Sequence, residues 1–166
     1  GYVDALNPEA IARFIDLTHE RYAERYGGDF GGAIHSIFVD EIAPTWSDRL
    51  PAAFEAACGY DLIAALPALQ DVDHPDHTRV SYDFGRVRYA AFCEAFERPI
   101  ASWCRAHGLA YSGEKPALRL SQLRWMDIPD SIRERESALC TAYQTSQREL
   151  PINCLSWDDA DAYCKV

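Results

Sequence analysis

The sequence predicts an α/β fold: a partial (β/α) barrel-like fragment with parallel strands and helical crossovers, followed by a short C-terminal strand–helix segment. Two observations carry this. Stretches of helical periodicity alternate with short apolar runs at residues 33–39 and 109–112, and βα alternation implies parallel strands joined by helices. Each of these runs also leads into acidic residues and a loop, where α/β folds collect their functional groups. The α/β character spans residues 1–129, residues 130–149 form a polar linker, and residues 150–166 form the terminal segment. A closed barrel needs about 200–250 residues, so the first 129 are expected to build only part of one.

The first helix starts at Asn7-Pro8-Glu9. Asn caps, Pro suits the first helical position, and Glu complements the helix dipole. Ile11, Phe14, Ile15, Tyr22 and Tyr26 then recur at helical spacing, and Gly27-Gly28 ends the run. Residues 33–39 read as a buried strand that terminates in Asp40-Glu41. On it, His35 alternates with Ile34 and is expected as a bonded core or pocket histidine.

A short helix over residues 50–57 is closed by Cys58-Gly59, and residues 61–66 form another short helical piece. The polar stretch 70–79 holds Asp71, Asp73, His74, Asp76 and His77. These are metal-ligand residue types, but Pro75 forbids a regular helix between the two histidines, and a solvated loop is the expectation. A long helical pattern covers residues 82–107, with Pro99 predicted to kink or split it and Gly108 to cap it. Residues 109–112 form the next strand, ending at Gly113-Glu114-Lys115-Pro116. Near the end, Leu150 to Leu155 reads as a strand, and Ser156-Trp157-Asp158-Asp159 opens a helix with a capping box.

Composition narrows the partners. Hydrophobic residues make up 48% of the chain, enough for a sizeable core, so disorder is not expected for most of it. The net charge is −10, which argues against nucleic acid, whose phosphates require a basic face. No run of about 18 apolar residues exists, so no membrane span is expected. The first residues lack the basic and apolar regions of a signal peptide, so none is visible in this chain, and a soluble protein of open compartment, with secretion not excluded, is the expectation. Six cysteines occur without a CxxC pair, which disfavours a zinc site of that spacing. Cys93 and Cys104 return to one helix face. Free thiols are the plain expectation, with disulfides among Cys140, Cys154 and Cys164 the alternative.

The two strand-end glutamates are the candidate chemistry. Hydrolysis of an O-glycosidic bond uses two carboxyl groups that flank the scissile bond: one protonates the leaving oxygen, and the other activates water or attacks directly. Glu41 and Glu114 each follow an apolar strand and precede a loop. Asp40, Trp46 and Arg119 are candidate substrate contacts, Trp46 as a wall on which a sugar ring stacks. The same pattern also fits exposed glutamates with no chemistry. Arg119, Arg124 and Trp125 equally fit a plain surface strand.

Several of these segments resemble a known family. Tyr2-Val3-Asp4-Ala5-Leu6-Asn7-Pro8-Glu9-Ala10, Phe14-Ile15-Asp16-Leu17-Thr18-His19-Glu20 and Ile37-Phe38-Val39-Asp40-Glu41 resemble the large bacterial glycoside hydrolases of the α-L-rhamnosidase type (family 106 and its relatives). Trp103 to Leu109 and Ser112 to Pro116 look like the segment leading into that family's second carboxylate. The resemblance spans residues 1–129. It implies rhamnoside-type substrates, Glu41 as general acid and Glu114 as base or nucleophile, with inversion the commoner outcome. It also allows calcium, without a readable ligand set. The family's proline after the Asp-Glu pair is Ile42 here. The tail, Leu150 to Cys164, is similar to the signature of formylglycine-generating (sulfatase-modifying factor) domains. That family's copper-binding cysteines have no counterpart in it, so Cys154 and Cys164 are structural candidates. The alternative function is therefore a formylglycine-generating-like or carbohydrate-binding module without catalysis.

Overall fold

The computed structural model describes residues 3–115 and 120–131. Arg119, Cys140, Cys154, Cys164, most of the expected linker and the terminal strand–helix lie outside them. The described chain has two compact units: residues 1–22 with 44–99, and residues 23–43 with those from 100 onward.

The first unit is helical. Its α1 spans Pro8–Leu17 and begins as the sequence predicts, with the Asn7 side chain accepting from the Glu9 and Ala10 amides. The predicted single helix breaks at Thr18, and α2 covers His19–Tyr26. The cause is local. The Thr18 hydroxyl donates to the Phe14 carbonyl at 2.6 Å and contacts His19 Nδ1 at 2.8 Å, and threonine back-bonding of this kind competes with the helix ladder. Helix α3, Leu50–Cys58, buries Leu50 and Phe54 and ends at Gly59. Helix α4, Leu62–Gln70, is capped by the Asp61 side chain and runs past the predicted end, with Pro67 inside it. Phe54 meets Tyr60 edge to face at 4.9 Å between centroids, a favourable aromatic geometry.

Helix α5, His77–Phe92, starts earlier than the apolar stripe suggests. The His77 ring is tied to the Ala68 carbonyl at 2.8 Å, and His74 Nδ1 accepts from the Asp76 amide. The expected loop over residues 70–79 is therefore shorter, covering residues 71–76 with His74 in it, while His77 opens the helix. The predicted break near Pro99 takes a specific form. Cys93–Glu97 is a π-helical turn, and α6 follows as Arg98–Ala106. Proline donates no N–H and its ring crowds the carbonyl four residues back. Widening the preceding turn accommodates both.

The second unit, which α6 enters at Ile100, carries a three-stranded parallel sheet in the order β1-β2-β3. Strand β1 is Ser36–Val39, β2 is Ala110–Lys115 and β3 is Ile128–Ser131, with the four-residue α7, Leu120–Leu123, between the last two. This is the α/β organisation that the sequence predicts. In register, Ile37 lies beside Tyr111, Val39 beside Gly113, and Phe38 beside Ser112 and then Ile128. Side chains alternate along a strand, so Tyr111, Gly113 and Lys115 share one face of β2, and Ser112 and Glu114 the other. Tyr111 and Lys115 are buried, with the Lys115 ammonium donating to the Tyr111 hydroxyl at 3.2 Å.

Two expectations are corrected here. The strand predicted over residues 33–39 is shorter, and it is not buried: Phe38 is 54% exposed and His35 is exposed. Strand β1 pairs on one side only among the described residues, which makes it an edge strand of the described sheet. His35 precedes the strand and is not a core or pocket residue. Strand β3 has no apolar alternation, and long-range bonds position it. Asp127 donates its amide to the Tyr111 carbonyl at 2.8 Å and accepts the Tyr111 amide on its carboxylate at 2.9 Å. Arg105 ties the same turn by bonding the Trp125 carbonyl and the Asp127 carboxylate.

Candidate active site

Both candidate glutamates belong to the sheet unit. Glu41 is two residues past β1, and Glu114 lies within β2, which extends beyond its predicted end. The Glu41 amide donates to the Glu114 carbonyl at 3.0 Å. Two residues 73 positions apart in the chain thus stand side by side at the carboxyl ends of neighbouring parallel strands. Strands in a sheet lie about 4.8 Å apart, so the backbones of the two residues are adjacent at this strand end. Glu41 is exposed and Glu114 half-buried.

The backbone at Glu41 is unusual. Its φ is +43°, and no other non-glycine residue among those described has a positive φ. An L side chain in the left-handed region costs of order 1 kcal/mol or more, and such strain concentrates at functional sites. The hydrogen bond to Glu114 holds the residue there.

Gly113 makes that bond possible. A Cβ at this position would stand 2.6 Å from the Val39 carbonyl oxygen and 3.4 Å from Met126 Cε. Only glycine allows β1 and β2 to approach so closely one residue before Glu114. On the other side chain of the sequence Ser112-Gly113-Glu114, the Ser112 hydroxyl donates to the Ile37 carbonyl at 3.0 Å, a second tie between the two strands. Sequence reasoning reaches the glutamates through their place after apolar runs, but it misses Gly113 and Ser112. Their signal lies in strand pairing and not in local pattern.

Comparison with solved structures finds a distant likeness in fold. The chain is similar to a glycoside hydrolase in fold. One match is a rhamnosidase from Novosphingobium sp. PP1Y, with a TM-score of 0.57 and 21% sequence identity. It covers 76% of this chain and 13% of the rhamnosidase, so the chain spans about an eighth of that protein's length. No protein-family model matches the chain, and no curated protein matches it.

The other candidates divide. Asp40 directly precedes Glu41 and is exposed at the same strand end. Trp46 belongs to the helical unit and is 44% exposed. Among the described residues, no group of three or more His, Cys, Asp or Glu side chains is placed to hold a metal ion. Among the same residues, Cys58 and Cys104 are free thiols and Cys93 is buried. Burial pushes the Cys104 thiol up to about 11, with Asp127 adding to it, so it stays protonated and unreactive at neutral pH. No single helix among the described residues is long and apolar enough to cross a membrane.

Proposed function

We propose that the chain carries the catalytic strand ends of a glycoside hydrolase that cleaves O-glycosidic bonds of rhamnoside type, within a partial (β/α) barrel. Glu41 serves as the general acid and protonates the leaving oxygen. Glu114 serves as the base and activates water on the other side of the sugar. Asp40, at the same strand end, contacts the substrate.

The observation that carries this reading is the strained Glu41 held against Glu114. Glycine would occupy φ +43° without cost, yet a carboxylate stands there, one hydrogen bond from a second carboxylate residue. Retaining a strained side chain is explained when that side chain is required. The fold similarity to a rhamnosidase adds support for the substrate class.

The test is hydrolysis of aryl glycosides, rhamnoside first, by the chain and by Glu41→Gln and Glu114→Gln. The expected loss is about 10²- to 10⁴-fold in kcat for each variant, the usual contribution of a positioned acid or base. A leaving group of low pKa should rescue Glu41→Gln and not Glu114→Gln, since it needs no proton. Equal rates for wild type and Glu41→Gln would remove Glu41 from the mechanism.

A further inference from the structure

We infer that Gly113 is a positioning residue that sets the spacing of the two glutamate-bearing strand ends, with Met126 as its backing. The inference rests on the proposed roles of Glu41 and Glu114 and assigns part of their geometry to residues that touch no substrate.

Three contacts lie within a few residues of each other. The Gly113 α-carbon faces the Val39 carbonyl so closely that a methyl group would meet it at 2.6 Å, where ordinary contact begins at 3.4 Å. The obstructing atom is backbone, so it cannot swing aside as a side chain does. Met126 Cε lies 3.4 Å from the same position, so the added methyl also meets Met126 when it moves. Two residues beyond Val39, the Glu41 amide bonds the carbonyl of the residue directly after Gly113. A side chain at 113 therefore has to push β1 away from β2 at the point where Glu41 is anchored. Once that amide is released, the tie between Glu41 and the Glu114 carbonyl is lost, and the backbone of Glu41 is free to leave its positive φ.

Gly113 differs in this from Gly108, the cap of α6. Gly108 also has a demanding backbone, with φ +69°, but a Cβ there meets nothing within 4 Å. Alanine at 108 strains the backbone without moving a neighbouring strand. It is the matched control for loss of stability alone.

The experiment is amide hydrogen exchange at Glu41, followed by NMR, together with the steady-state kinetics of the same proteins. In Gly113→Ala, exchange at the Glu41 amide is expected to accelerate by about tenfold or more, as a released hydrogen bond does. In Gly108→Ala it stays at the wild-type rate relative to neighbouring sheet amides. The double variant Gly113→Ala/Met126→Ala lets the methyl lean into the vacated methionine space, and its Glu41 exchange falls between the two. In aryl rhamnoside hydrolysis, Gly113→Ala loses about a hundredfold in kcat with KM within about twofold, the effect of misplacing a catalytic group by about 1 Å. Wild-type protection of the Glu41 amide in Gly113→Ala overturns the inference. Should that variant not fold, full wild-type protection in the double variant overturns it equally. Equal hydrolysis by wild type and Glu41→Gln instead sinks the catalytic reading, while the exchange data still decide the role of Gly113.

Discussion

In the helical unit, segment ends are written by neighbouring residues: Asn7 caps α1, Asp61 caps α4, and Thr18 breaks the run after α1 by bonding four residues back. In the sheet unit, the defining contacts join residues far apart. Glu41 bonds Glu114, Ser112 bonds Ile37, and Arg105 and Tyr111 both bond Asp127. The first unit obeys local rules almost throughout. The second breaks them at Glu41, with a strained φ, and at Gly113, with a contact that excludes every side chain. Consistency between local preference and fold gives stability, and violations gather where chemistry is done. The contrast sets the strained strand ends of the sheet, where the proposed chemistry lies, against the apolar packing of Phe54 and its neighbours in the helices.

The contrast can be tested from its strongest expected effect downward. Truncating a fully buried side chain of the helical unit, Phe54→Ala, should cost about 3–5 kcal/mol by chemical denaturation, because the site cannot collapse onto the lost ring. Glu41→Gly should move stability the other way, gaining about 1 kcal/mol by relieving the left-handed strain. A loss of stability in that variant would mean that the glutamate side chain holds the fold, and the comparison would fail at its sharpest point. Removing a local cap, Asn7→Ala, should cost about 1 kcal/mol, with no change at the sheet amides.

Two smaller effects follow from buried titratable groups. His19 is buried, and desolvation holds its imidazole below the ordinary value of 6.5, with Glu20 acting in the opposite direction. The folded state therefore prefers the neutral ring, and the unfolded chain takes up the proton first as pH falls. The His19 contribution to stability is fully present above about pH 6.5 and is lost as pH drops toward the lowered folded value. Denaturation midpoints between pH 7 and 5 should show this decline, and His19→Gln should flatten it. In the sheet unit, the raised Cys104 thiol should resist iodoacetamide at pH 8. Half-buried Cys58, in the helical unit, should be alkylated first, as read by peptide mapping.

The sequence by itself determined a good deal. Periodicity located the helices, Asn7, Gly59 and Gly108 marked where they start or stop, and the position of Glu41 and Glu114 after apolar runs singled them out. Each of these is a local signal, carried by spacing of about two or 3.6 residues or by a cap. The errors also have one cause. The exposed Phe38, the exposed His35 and the unpatterned β3 depend on which strand lies beside which, and no window of sequence contains that information. Tertiary structure alone decided that Glu41 and Glu114 are neighbours, that Glu41 adopts φ +43°, and that Gly113 admits the Val39 carbonyl. The physical reason is that parallel pairing brings together residues more than 70 positions apart, and its geometry is set by backbone contact and not by the preferences of either strand.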